Sequence, residues 1–287
     1  MELVKKILRG MIIGVANVIP GVSGGTMMVS MGIYDTIILC ITHLFSQFKK
    51  SVKTLLPYLL GMLLGIFALA GLLGFLLDHY PLPTNTAFIG LILGGLSPLI
   101  RKIERRKINF GCVVAFAAFF GLIIWMACMG PVQNAESVTM SAGQMLILLV
   151  MGAIASATMI IPGVSGSMVL MLLGYYTPVI NALNSFKTAV FSADFAAMVQ
   201  PLLVLLPFGI GVVAGIFGVA KAIEWLIQRF PTLTYCGVLG LVLASPVAIL
   251  IRADLAGTTI GMAIISAITF AVGFVGAWLL DKGSKSV

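Results

Sequence analysis

Charged residues are scarce in this sequence: they make up 9% of its 287 residues, against about 25% in a soluble domain. Apolar residues make up 60%, and apolar runs of about 20 residues, the length that spans a bilayer as a helix, recur along the whole chain. No segment between these runs is long enough to form a soluble domain. The sequence therefore predicts one all-α polytopic transmembrane domain over residues 1–287.

Residues that build metal, disulfide and nucleotide sites are also few. The four cysteines show no C-x-x-C spacing, so they predict neither a disulfide framework nor a metal site. The two histidines, His43 and His79, stand alone at predicted membrane edges and receive no role. A G-x-x-x-x-G-K-[ST] loop is absent, so ATP is not expected to drive the protein. No cofactor is predicted.

Ten helical segments are predicted from apolar runs bounded by proline, glycine and charge. They lie near residues 4–19, 22–42, 55–77, 85–100, 108–129, 143–161, 164–183, 201–227, 234–251 and 257–280.

The net charge of +8 is concentrated in alternate connecting regions. Every region that lies inside when the N-terminus is cytoplasmic is net positive, and every region outside is neutral or negative. Cytoplasmic loops of membrane proteins collect Lys and Arg. Both termini are therefore predicted to be cytoplasmic, and the basic balance is not taken as a nucleic-acid site.

The two halves of the chain repeat one pattern. Residues 19–24 and 161–166 both read Ile-Pro-Gly-Val-Ser-Gly, an offset of 142, and Leu-Leu-Pro-Tyr at 55–58 matches Leu-Leu-Pro-Phe at 205–208. We predict repeat 1 at about 1–130 and repeat 2 at about 143–280. Five segments per repeat is an odd number, so the second repeat enters the membrane from the opposite side, as an inverted-topology repeat. The sequence does not indicate an oligomeric state.

Each repeated motif is predicted to break a helix inside the membrane. Only ten residues separate Arg9 from Pro20, about 15 Å of helix and roughly half of the hydrocarbon thickness. We expect a re-entrant hairpin that turns at Pro20 and Gly21, and an equivalent break at Pro162 and Gly163, with three spanning helices following in each repeat.

A break at membrane depth must face protein or a polar cavity, because unsatisfied amides in lipid are costly. Helix starts attract anions, glycine lets a phosphate approach the backbone, and Ser or Thr hydroxyls add donors. Both motifs are therefore predicted to bind a substrate phosphate, with Asn17 as an additional donor. The alternative is a plain turn whose Ser and Gly residues pack helices. The predicted phosphate-binding residues are Pro20, Gly21, Ser23, Gly24, Gly25, Thr26, Pro162, Gly163, Ser165, Gly166 and Ser167.

Asp35 is the acid that lies well inside an apolar stretch, and Thr177 occupies its position in the second repeat. An intramembrane carboxylate suggests proton coupling. The alternative is a solvated carboxylate near the inner surface. Three G-x-x-x-G patterns, beginning at Gly61, Gly90 and Gly211, are interpreted as helix-packing surfaces.

The repeated Pro-Gly-Val-Ser-Gly, the Gly-Thr-Met continuation at Gly25 and the doubled layout resemble the polyprenyl-phosphate transporter family, long described only as a domain of unknown function. The resemblance covers nearly the whole chain. It implies a transporter rather than an enzyme, located in the bacterial plasma membrane. Its implied substrate is undecaprenyl phosphate, the lipid carrier of cell-wall precursors, which such a flippase returns from the outer to the inner leaflet.

Two other functions remain open. Undecaprenyl-pyrophosphate phosphatases of the bacitracin-resistance type also use inverted repeats and a Pro-Gly-x-Ser loop, but theirs continues with Arg-Ser and works beside a glutamate pair. Here Gly-Gly-Thr begins at Gly24 and Gly-Ser-Met at Gly166, with no acidic pair near either, so hydrolysis is not expected. A channel or carrier for a small soluble anion fits the same helix starts but does not require a lipid-sized opening.

Overall fold

A computed structural model describes residues 2–18, 23–103, 108–129, 141–253 and 259–282. Within these ranges the chain forms thirteen α-helices and no strand, which confirms the all-helical prediction. The first half contains α1 (Glu2–Val18), α2 (Gly24–Ser30), α3 (Tyr34–Thr42), α4 (Phe48–His79), α5 (Pro81–Gly94), α6 (Ser97–Lys102) and α7 (Phe110–Cys128). The second half contains α8 (Ala142–Ile160), α9 (Gly166–Leu172), α10 (Tyr176–Phe191), α11 (Phe195–Arg229), α12 (Pro231–Arg252) and α13 (Ile260–Lys282).

Seven spans in the described ranges are long and apolar enough to cross a membrane, and nine if two bent helix pairs each count as one span. The seven lie in α4, in α5 with α6, and in α7, α8, α11, α12 and α13. This arrangement is that of a multi-pass membrane protein.

The two bent pairs correct the predicted helices at 22–42 and 164–183, which were wrong as continuous segments. The axes of α2 and α3 differ by 117°, and those of α9 and α10 by 114°. Gly32 and Gly174 take left-handed φ values of 67° and 78°. At each site the amide of the following residue bonds five residues back, from Ile33 to Met28 and from Tyr175 to Leu170. These are glycine-terminated helix ends.

The predicted segment at 85–100 is also divided. Helix α5 ends at Gly94, and α6 begins at Ser97 after a short turn through Gly95. A side chain on Gly95 would overlap Ser30 of α2, so the turn lies against the first bent pair. The break therefore brings α6 close to α2.

Glycines bring helices into direct backbone contact in both halves. Helix α1 packs along α4, and α8 packs along α11. A Cβ on Gly61 would overlap the carbonyl oxygen of Ile7, and one on Gly211 would overlap that of Leu149. The predicted packing role of these glycines is thus confirmed at the contact itself.

The remaining long helices pair across the halves. Helix α5 packs along α13, and α12 packs along α7, so each half contributes one helix to each pair. The largest cluster of buried apolar side chains likewise contains Ile13 and Tyr58 from the first half and Val242 from the second. The two halves therefore share one core.

Candidate functional site

A cavity of about 250 Å³ lies where the two copies of the repeated motif meet. Residues from both halves line it. The polar lining residues are Asn17, Ser23, Ser156, Ser165, Ser167 and Tyr176, and the other lining residues are Ala155, Met159, Val164, Gly166, Leu170, Val179, Ile180, Phe208 and Val212.

Ser23 and Ser165 occupy the same place in the two motif copies. Each is the residue directly before a short helix, α2 or α9, and neither hydroxyl caps that helix. Ser23 is 4% exposed, and its Oγ has no hydrogen-bond partner among the described residues. Oγ of Ser165 lies 3.0 Å from Oγ of Ser167. Three hydroxyl groups of the motifs therefore belong to residues that line the cavity, and that of Ser23 has no partner among the described residues.

Asn17 reaches the cavity from the end of α1. The backbone N–H of Gly24 donates to its Oδ1 at 3.2 Å, and a side chain on Gly24 would overlap the Asn17 amide. This amide of the first motif is therefore bonded within the protein. Gly24 itself is not among the residues that line the cavity.

Thr26 joins the two motif copies instead of facing the cavity. It is fully buried, and its Oγ1 accepts a hydrogen bond of 2.7 Å from the N–H of Gly163. Gly25 lies against the second motif, since a Cβ there would be 3.1 Å from Cα of Pro162. These four residues form the contact between the motifs and do not line the cavity.

The second predicted break is present in the structure. Helix α8 ends at Ile160 and α9 begins at Gly166. Gly163 has a left-handed φ of 84°, where a side chain would also meet the Leu241 backbone. The first predicted break, at Pro20 and Gly21, lies outside the described residues.

Two polar residues of the cavity were not predicted from the sequence. Ser156 precedes the second motif and has no repeated signature. Tyr176 repeats Tyr34, so the repeat itself carried a signal for this position.

Asp35 lies apart from the cavity and is paired. Its Oδ2 accepts a hydrogen bond of 2.7 Å from the Tyr235 hydroxyl and forms an ion pair with Lys102. Its Oδ1 is buried without a partner among the described residues. Asp35 is therefore a paired and partly exposed carboxylate, and its predicted part in proton coupling stays a prediction. Lys102 and Tyr235, 67 and 200 residues away in sequence, gave no signal that linked them to it.

Residues 13–262 match a family model described as undecaprenyl phosphate translocase-like. A polyprenyl-phosphate transporter of Staphylococcus aureus is 32% identical over 282 residues, which cover 96% of this chain and 95% of that protein. A polyprenyl-phosphate transporter of Vibrio cholerae is 30% identical over 259 residues, which cover 85% of this chain and 77% of that protein. No solved structure matches.

Proposed function

This chain belongs to the undecaprenyl phosphate translocase-like family, and we propose that it is a flippase for undecaprenyl phosphate in the bacterial plasma membrane. In this proposal the protein returns the lipid from the outer to the inner leaflet for reuse in cell-wall synthesis. The resemblance predicted from the repeated motif is confirmed. The named relatives are transporters, which supports a transporter over an enzyme.

The observation that carries the proposal is the shared cavity. Ser23 from the first motif and Ser165 from the second line the same space, although they are 142 positions apart in sequence. A bare anion in a low-dielectric medium is very costly unless polar groups replace its water. Hydroxyls from both motifs supply such groups around one phosphate, with Ser167 and Tyr176 beside them.

The rest of the cavity wall suits the apolar part of a lipid. Leu170, Val179, Phe208 and Val212 line it with hydrocarbon, and α11 exposes large apolar side chains on its outer surface, such as Ile210. We propose that the phosphate head enters the cavity while the polyprenyl chain stays in the bilayer. The head would pass between the helices that line the cavity.

The proposed direction of transport rests on the charge pattern and on the proposed inverted repeat. Positive charge in alternate loops supports a cytoplasmic N-terminus and C-terminus. The equivalent pairs α1 with α4 and α8 with α11, and the exchange of α7 and α13 between halves, support two related repeats. In this proposed orientation α10 begins at the cavity, which Tyr176 lines, and would end at the outer surface. The head would therefore enter from the outer leaflet.

A phosphatase remains the main alternative. Among the described residues that line the cavity, none is Asp, Glu, His, Lys or Arg. A hydrolase of the type considered above uses such groups to activate water and to stabilise the transferring phosphoryl group. The hydroxyl-lined cavity therefore favours binding and release of an intact lipid phosphate.

Transport is tested with the purified protein in liposomes that carry polyprenyl phosphate in one leaflet. We expect the lipid to redistribute between the leaflets without release of inorganic phosphate. Release of phosphate from a polyprenyl pyrophosphate would support the phosphatase instead. Movement of inorganic phosphate or sulfate, with the lipid left in its original leaflet, would support a small-anion carrier.

The site is tested with the double variant Ser23→Ala, Ser165→Ala. Binding of polyprenyl phosphate should weaken by about tenfold or more, since two hydrogen bonds to a charged group are lost. Ser192→Ala is the control, because Ser192 is exposed and its hydroxyl bonds only within its own helix. Unchanged affinity in the double variant would remove both hydroxyls from the site.

A further inference from the structure

A second polar cluster joins the two halves at some distance from the cavity. Asp35, in the first turn of α3, accepts a hydrogen bond of 2.7 Å from the hydroxyl of Tyr235, the fifth residue of α12. Lys102, in the last turn of α6, pairs with the same carboxylate oxygen, and its Nζ lies 5.2 Å from the centroid of the Tyr235 ring. We call Asp35, Lys102 and Tyr235 the latch cluster. It connects three helices and both halves.

The latch cluster is partly withdrawn from water. The side chains of Asp35 and Lys102 are 27% and 35% exposed. Beside them is a pocket of about 10 Å³ that Tyr34 also lines, which is room for about one water molecule. The Tyr34 hydroxyl and Oδ1 of Asp35 have no partner among the described residues. Because Oδ1 of Asp35 is already buried without a partner among the described residues, loss of Lys102 would leave this carboxylate poorly stabilised, so the pair favours the contact between its helices.

The latch cluster lies next to a region that is closed, whereas the aligned region of the second half is open. Ala155 and Val179 line the cavity. The residues at the aligned positions are Ile13 and Ile37, which are 2% and 7% exposed and belong to the central core. Thr177, which carries no charge, stands where Asp35 stands in the first half.

We propose that the latch cluster keeps the first half closed, and that its release opens a path from the head-group cavity to the inner side of the membrane. This inference rests on the proposed function, because it assigns the path by which the phosphate head leaves. Helix α3 is the moving element, since it carries Asp35 and packs against α11 of the second half. The state described here is the latched one, with the shared head-group cavity formed and the Ile13 region of the first half packed.

The test measures access to the closed region directly and needs no substrate. Ile13→Cys places a thiol in the packed region, and its labelling by a water-soluble maleimide is followed in membrane vesicles. The chain has four natural cysteines, so each rate is the difference between a variant with and without Ile13→Cys. The latch is then broken with Asp35→Asn or Lys102→Met, and rebuilt with the exchange Asp35→Lys, Lys102→Asp.

We expect the labelling rate to rise by about tenfold in Asp35→Asn and Lys102→Met, the factor that corresponds to one hydrogen bond to a charged group. The exchanged pair should return the rate towards that of the parent chain. Opening should be partial, because these variants leave a second contact of α3 with α11 in place. Nδ1 of His43, directly after α3, lies 3.7 Å from Oε1 of Glu224. Lys53→Met is the matched control, since it removes the same charge from an exposed position of α4.

Equal labelling in the parent, Asp35→Asn and Lys102→Met would overturn the latch, as would an equal rise in Lys53→Met. If Asp35→Asn fails to fold, Tyr235→Phe decides the question, because it removes one hydroxyl and keeps the ion pair. It should also raise the rate by about tenfold, because the bond that it removes has a charged acceptor. If the parent chain transports the lipid and the latch variants are labelled at the parent's rate, only the latch proposal is contradicted. If labelling rises in the latch variants but the parent chain transports no lipid, only the proposed function is contradicted.

Discussion

The two halves of this protein align in sequence around the same motif, yet one is packed where the other is hollow. Ala155 and Val212 line the cavity, and the aligned residues in the first half are the larger Ile13 and Met62. Ile13 is 2% exposed and Met62 packs against the same core. Side-chain volume alone therefore accounts for part of the difference. The cavity is not simply one of two interchangeable conformations of identical repeats.

The halves are alike in one helix contact, which α1 and α4 make in the first half and α8 and α11 make in the second. Gly61 and Gly211 face Ile7 and Leu149, positions that are themselves 142 apart. In both halves the backbones touch without a side chain between them. The glycine contact between helices is therefore common to both halves, whereas the residues that line the cavity differ from those at the aligned positions.

The largest expected effect tests the glycine contact that both halves share. Gly61→Ala and Gly211→Ala should each destabilise the protein strongly, by about 3 kcal/mol or more, because the new methyl group overlaps a backbone carbonyl that cannot move alone. Thermal unfolding in detergent measures the loss. The control is Gly71→Ala, since a Cβ there meets nothing within 4 Å. A large loss at only one of the two glycines would break the likeness of the halves.

The next prediction tests the difference in volume. Ala155→Ile places in the second half the residue found at the aligned position of the first. The larger side chain should fill the cavity and weaken binding of polyprenyl phosphate by about tenfold to a hundredfold. Binding to protein in nanodiscs measures this.

The control for that prediction is Ala196→Ile, on the exposed start of α11. It adds the same atoms away from the cavity and should leave the affinity unchanged. Full affinity in Ala155→Ile would mean that the head group binds elsewhere.

The features that the sequence predicted are those with a local signal. Apolar length predicted the helices, and the repeated motif predicted that Ser23 and Ser165 would act together; both line the cavity. The bends after α2 and α9 were missed, although Gly32 and Gly174 were already aligned, because a glycine within an apolar run also occurs in continuous helices. The partners of Asp35 come from α6 and α12, and no local pattern encodes a contact over such separations.

A smaller effect is expected at the contact between the motifs. Thr26→Val keeps the shape of the side chain but leaves the buried N–H of Gly163 without its acceptor. The cost should be about 1–3 kcal/mol, seen as a lower midpoint of thermal unfolding. Met168 stands at the aligned position of the second half and has no hydroxyl.

Thr26→Ser is the control, because it retains the hydroxyl and should recover most of the lost stability. If Thr26→Val and Thr26→Ser were equally stable, the bond to Gly163 would contribute nothing to the contact between the motifs.

The smallest expected effect exchanges one more aligned pair, Asn17 and Met159. Asn17 accepts from the Gly24 N–H, whereas Cγ of Met159 lies 3.4 Å from where a side chain on Gly166 would begin and offers no oxygen. Met159→Asn should give the second short helix the same acceptor and stabilise the protein by about 0.5–1 kcal/mol. Asn17→Met should lower stability by a similar amount. Met159→Leu has no oxygen and should change little, so thermal midpoints of the three variants isolate the hydrogen bond. Equal midpoints for Met159→Asn and Met159→Leu would show that an acceptor at this position does not stabilise the second short helix.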